Sequence, residues 1–126
     1  MRGKYLNQPI IEAVQIEKVL YQLQQDGITI PRPSEVRDYL ISYPDMTDLL
    51  LSACDLARQQ FDSQVQLSLE VYHDPEIEDE YLTLYIRQQN YDEDILDTIE
   101  DICALYEGKL AGKSGWFLVT TDFRSP

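Results

Sequence analysis

An α+β fold is the expectation for this chain. N-terminal helices should precede a strand–strand–helix–strand unit, whose small, mainly antiparallel three-stranded sheet packs against them. Three observations predict it. Val65, Leu67, Leu69 and Val71 alternate with Gln66, Ser68, Glu70 and Tyr72, and Leu82, Leu84 and Ile86 alternate with Tyr81, Thr83, Tyr85 and Arg87. Period two marks half-buried strands. Before and after this pair, apolar residues recur at three- and four-residue spacing, the period of a helix with one buried face. Trp116 to Phe123 is rich in aromatic and β-branched residues, as a last strand would be.

The first helix is expected over about residues 9–25, because Pro9 suits a first turn and Asp26-Gly27 is a stop signal. Its apolar positions are Ile10, Ala13, Val14, Ile16, Val19, Leu20 and Leu23. Residues 1–8 read as a loose start. Ile28-Thr29-Ile30 is either a fragment of edge strand or an extended link, since Pro31 and Pro33 bar a central strand. Ser34 suits an N-cap, and Val36, Tyr39, Leu40 and Tyr43 make a short second helix. Pro44 ends it, because the residue before a proline is pushed out of helical geometry. Pro44 also opens the third helix, with Asp45 and Asp48 at its positive end. That helix should run to about Gln60, its inner face holding Leu49, Leu50, Ala53, Cys54, Leu56, Ala57 and Phe61.

The register of the hairpin follows from parity. Apolar positions are odd in its first strand and even in its second, so Val71–Leu82, Leu69–Leu84 and Leu67–Ile86 should face each other. The tip would then be the polar run His73–Glu80. Asn90 and Glu93 have the spacing of a capping box for the fourth helix. Ile95, Leu96, Ile99, Ile102, Cys103 and Tyr106 form its stripe, and Gly108 should stop it. Placing the last strand beside the first strand of the hairpin gives the order 2-1-3, with antiparallel neighbours. Residues 1–126 form a single domain on this reading, with a helical part over 1–61 and a β-β-α-β part over 62–123.

Composition narrows the function. A chain of 126 residues, 44% hydrophobic, can bury a core without staples. The net charge of −13 opposes binding to nucleic-acid phosphates and to anionic membranes. It favours a basic partner, a cation, or plain solubility. Between Glu70 and Glu107 lie 13 of the 23 acids and only one base, Arg87, so the charge is polarised. The two cysteines, Cys54 and Cys103, sit in helical patterns with no metal-type spacing and read as reduced core residues. With no apolar run of membrane-span or leader length, a cytoplasmic location is expected.

Several motif lookalikes fail on spacing or context. Gly108-Lys109-Leu110-Ala111-Gly112-Lys113-Ser114 has three residues between its glycines where a phosphate loop has four, and it follows a helix rather than a strand. Pro44-Asp45 with Glu107-Gly108-Lys109 echoes the scattered acids and lysine of some nucleases, but a helix start and a helix end replace adjoining strands. The helices flanking Pro44 suggest a helix-turn-helix, yet the second offers Asp45, Asp48 and Asp55 against Arg58, the wrong sign for DNA. His73 is the only histidine, which excludes a multi-histidine zinc site.

No catalytic set is evident and no cofactor is expected. The chain reads as a small acidic interaction module, an adaptor or inhibitor of a basic protein partner. The residues expected to carry it are Glu70, Tyr72, Tyr81 and Tyr85 on the outer hairpin face, Glu76, Glu78, Asp79 and Glu80 at the tip, and Asp97, Glu100 and Asp101 on the fourth helix. Two alternatives stand beside it. One is a metal-dependent hydrolase or cation-binding protein using His73, Asp74 and Glu76, since carboxylates suit hard cations. The other is a homo-oligomeric structural subunit that self-associates through the tyrosine face.

Overall fold

The computed structural model describes residues 2–61, 64–76 and 78–126, with side chains from residue 13 onward. In chain order the elements are α1 (Arg2–Gln25), β1 (Ile28–Thr29), α2 (Pro33–Ser42), α3 (Met46–Gln60), β2 (Val65–Asp74), β3 (Asp79–Gln88), α4 (Ile95–Leu110) and β4 (Phe117–Thr120).

The α+β class holds, but the sheet does not have the expected three strands in the order 2-1-3. It has four strands in the order β1-β2-β3-β4. The last strand lies beside the second hairpin strand, and parallel to it, with Leu82 opposite Phe117 and Leu84 opposite Val119. Ile28-Thr29 is a true edge strand, parallel to β2. The physical reason is connection length. Parallel neighbours need a crossover of a dozen or more residues. The segment holding α4 supplies one between β3 and β4, and α2 with α3 supplies the other.

The hairpin register is the one that parity predicts, with Leu67 opposite Ile86, Leu69 opposite Leu84 and Val71 opposite Leu82. Its tip is shorter than expected. Pairing continues through His73–Glu80 to Asp74–Asp79, leaving a tight turn in which Glu78 adopts the left-handed region at φ 51°.

Helix ends also differ. Residues 2–8 are helical, and Pro9 lies inside α1, forgoing one backbone bond. α2 begins at Pro33, one residue before the expected cap Ser34, because a first-turn proline is already set for the helix. Asp45 precedes α3 but does not cap it. Its carboxylate instead accepts the Ser114 N–H at 2.9 Å and the Ser114 hydroxyl, and these bonds hold it below the usual carboxylate range. Asn90 does not cap α4. Gln88 and Asp92 exchange two 3.0 Å hydrogen bonds that shape the connection, and the helix starts at Ile95. α4 runs past Gly108 to Leu110, and Gly112 takes the turn at φ +84°.

One face of the sheet is the core face. Ile28, Leu67, Leu69, Leu82, Leu84, Ile86, Phe117 and Val119 are all at most 5% exposed. They join Leu20, Val36, Leu40, Met46, Leu50, Ala53, Ile99, Ile102 and Tyr106 from the helices in one cluster. The β4 edge is closed by tyrosine hydroxyls. The Tyr106 hydroxyl donates to the Phe117 carbonyl at 3.4 Å and accepts the Val119 N–H at 3.2 Å. The Tyr39 hydroxyl accepts the Trp116 N–H at 2.9 Å.

Candidate functional site

The other face of the sheet carries none of the apolar core. Strand alternation gives that face its rows, read across β2 and β3: Gln66–Arg87, Ser68–Tyr85, Glu70–Thr83, Tyr72–Tyr81 and Asp74–Asp79. β4 adds Thr120 beside Tyr85 and Leu118 beside Thr83. One residue before β4, Trp116 falls next to Tyr81 in the same register and is 54% exposed. The result is an aromatic-bearing face, with Tyr72, Tyr81 and Trp116 in one row and Tyr85 two rows away across Glu70, Thr83 and Leu118, and with acids at both ends.

At one end the chain's own guanidinium is held tightly. Arg87 donates to Asp122 from Nε at 3.1 Å and from Nη2 at 2.8 Å, reaches Glu70 at 3.4 Å, and lies 5.0 Å from the Tyr85 ring centroid. The Ser68 hydroxyl donates to Glu70 at 3.0 Å. The Arg87 hydrogen bonds hold Asp122 below the usual carboxylate range. Burial pushes the Tyr85 hydroxyl up, with the negative charge of Glu70 and Asp122 adding to it.

At the other end the Tyr72 and Tyr81 rings pack 5.2 Å apart, tilted by 32°. Burial raises the Tyr81 pKa first, followed by the proximity of Tyr72, Asp74 and Asp79. Between the two ends sits Thr83. It is 1% exposed, and among the described residues its hydroxyl has no hydrogen-bond partner.

The expected site residues therefore divide into three groups. Glu70, Tyr72, Tyr81 and Tyr85 share the open face, with Asp79 in its last row. Glu80 points to the core side, where its carboxylate lies 3.2 Å from His73 Nδ1. Glu76 and Glu78 are exposed in the turn, and Asp97, Glu100 and Asp101 are exposed on α4, which belongs to the helical layer.

The three candidate metal ligands do not converge. His73 and Asp74 are consecutive strand residues and point to opposite faces. Each nitrogen of His73 already meets a carboxylate, Glu35 at 3.3 Å and Glu80 at 3.2 Å, so the two acids flank the ring rather than share one point. Asp74 accepts the Glu76 N–H at 2.9 Å. Among the described residues no three His, Cys, Asp or Glu side chains gather to hold a metal ion.

Two clefts of about 280 and 300 Å³ lie between helices. The first is lined by Ile16, Val19 and Leu51, and the second by Asp48, Ser52, Lys109 and Lys113. In the second, among the described residues, no hydrogen bond joins the Ser52 hydroxyl to Asp48, Lys109 or Lys113. Cys54 is buried on α3, which pushes its thiol up to about 12 and makes it inert at neutral pH.

The alternation of β3 places Thr83 and Arg87 on this face beside Tyr81 and Tyr85, as the structure does, but sequence reasoning missed Trp116, Leu118 and Asp122 as members of it. The alternation Trp116, Leu118, Thr120 against Phe117 and Val119 was a signal for two of them. The bond from Arg87 to Asp122 had none, because it depends on β4 lying beside β3.

Comparison with protein-family models, with curated proteins and with solved structures finds no match. Among the described residues no helix is long and apolar enough to cross a membrane.

Proposed function

We propose that this protein is a small acidic interaction module that binds a basic protein partner through the open face of its sheet. The observation that carries the reading is the set of aromatic side chains Tyr72, Tyr81, Tyr85 and Trp116 on the sheet face that, among the described residues, holds none of the apolar core, bounded by Glu70, Asp74, Asp79 and Asp122. Tyrosine and tryptophan bury large apolar bodies while keeping a polar tip, which suits an interface. The acids of the hairpin turn extend the same sign of charge beyond that face and steer a basic partner toward it. Closure of the β4 edge bars strand addition on that side of the sheet.

The test uses the full chain as bait at low salt, with a high-salt wash releasing what charge holds. Neutralising Glu76, Glu78, Asp79 and Glu80 together is expected to slow association of the released partner by about tenfold. Tyr72→Ala is expected to speed its dissociation. A partner whose rates are unchanged in both variants overturns the reading.

A further inference from the structure

The two outer edges of the sheet differ. Tyr106 and Tyr39 serve the edge of β4, whereas the edge of β2 is covered only where β1 lies against Leu67 and Ser68. Pro31, just beyond β1, has no N–H with which to carry that ladder further. The backbone groups past it can be placed. The Leu82 N–H donates to the Trp116 carbonyl at 3.1 Å, so it points to β4. Backbone groups alternate sides along a strand, so those of Tyr81 and Thr83 point to β2, where they face Tyr72 and Glu70. Val71 and His73 therefore turn their N–H and C=O groups away from β3. Among the described residues none of these four groups meets a hydrogen-bond partner.

A second and independent observation is how this edge is guarded. β2 pairs with β3 residue for residue from Val65 to Asp74, so no bulge twists the edge away. The run from Leu69 to Asp74 holds neither proline nor lysine, the usual guards of an edge. What flanks it is acid. Glu70 and Asp74 lie on one side of the strand, and Glu35 and Glu80 lie beside His73 on the other. A second copy of this chain, with net charge −13, meets its own sign there. A basic strand meets the opposite sign.

We propose that the Val71–His73 edge of β2 takes up one extended, basic segment of the partner as a further strand, beyond the end of β1; this rests on the interaction module above. Main-chain bonds to Val71 and His73 supply the pairing, and alternate side chains of the segment supply the selectivity. Those on the open-face side lie beside Glu70, Tyr72 and Asp74, so arginine or lysine belongs there. Those on the other side lie beside Val71, where an apolar residue fits. The added strand extends the sheet that bears the aromatic face, so edge and face serve one partner.

The probe is a blocked Arg-Val-Arg-Val-Arg peptide titrated into the isotope-labelled full chain, with Glu-Val-Glu-Val-Glu beside it. The arginine peptide at saturation is expected to slow amide exchange at Val71 and His73 by about tenfold and to leave Leu82 unchanged. The glutamate peptide should protect neither. Methylating the peptide's arginine backbone nitrogens strips the donors from one edge of its strand, and methylating the valine nitrogens strips the other. One methylated peptide should lose binding and the other keep it, and the one that loses it gives the direction of the added strand. V71P removes an N–H that the hairpin does not use, and should weaken the arginine peptide by about fivefold. Equal protection by the arginine and glutamate peptides, equal binding of the two methylated peptides, or shifts confined to the rings of Tyr72, Tyr81 and Tyr85 each overturn the strand. A captured partner that leaves Val71 and His73 unprotected overturns the strand and leaves the module standing. If salt releases no partner at all, the module itself falls.

Discussion

Arg87 is the side chain on which the open face turns. It is only 14% exposed and faces Asp122, 23% exposed, and Glu70. Truncating it leaves two partly buried carboxylates uncompensated, and R87M should cost about 1–3 kcal/mol in urea unfolding at pH 7. The pH dependence has a definite sign. The folded-state pKa of Asp122 is depressed, so its contribution is present above about pH 4 and is lost as pH falls through the folded value. R87M should flatten that acid limb, and an unchanged acid limb would show that the pair contributes nothing. Gly115 is the other sensitive position. A Cβ there would lie 2.6 Å from the Tyr39 hydroxyl and 3.0 Å from Met46 Cγ. G115A should therefore displace the hydroxyl that binds the Trp116 N–H, costing about 1–3 kcal/mol by the same denaturation measurement. Neither residue announced its role beforehand. Arg87 is 35 residues from Asp122, and the Tyr39 hydroxyl that Gly115 makes room for is 77 residues from the Trp116 N–H it accepts, and spacing patterns do not reach that far.

Strands and their edges were legible to different degrees. The hairpin register could be read because a slip of one residue would turn Leu67, Leu69, Leu82 and Leu84 to water. The neighbour of β4 could not, because a four-residue strand pairs equally well by pattern with either hairpin strand. What decides is the crossover through α4 and the fit of Tyr106 against the outer edge. That hydroxyl serves both the Phe117 carbonyl and the Val119 N–H. Tyr106→Phe keeps the ring packed edge-on to Phe117 but leaves two buried backbone groups unpaired. The expected loss is about 1–3 kcal/mol, with faster amide exchange at Val119 before elsewhere in the sheet. Exchange that stayed slow at Val119 would mean that the hydroxyl is dispensable. The helix ends were misplaced for a related reason. Ser34, Asn90 and Gly108 are good local signals, but Pro33, the Gln88–Asp92 exchange and tertiary packing of Leu110 override them.

Charge belongs to the molecule entire. A net −13 on 126 residues means that carboxylates repel one another over the surface, and compaction works against this. Added sodium chloride screens that repulsion while leaving the partly buried Arg87 cluster nearly untouched. The melting temperature should thus rise between low salt and about 0.5 M, by roughly 4 °C for each kcal/mol recovered at this size. A fall with salt would show that surface ion pairs such as Arg37–Glu17 outweigh the repulsion. The acidic polarity that suggested a basic partner was visible from composition. The aromatic face was visible only in half, since β4 brings Leu118 and Trp116 to it.

Trp116 is the only tryptophan of the chain, and it lies at the border of that face, 54% exposed, beside Tyr81. The protein thereby carries its own optical reporter on the face where the proposed contact occurs. Unlabelled chain, excited at the red edge of protein absorption, should emit as a water-facing indole when alone. Its emission should move to the blue when a partner covers the face. A partner that docked on the exposed acids of α4 instead would leave the spectrum where it was.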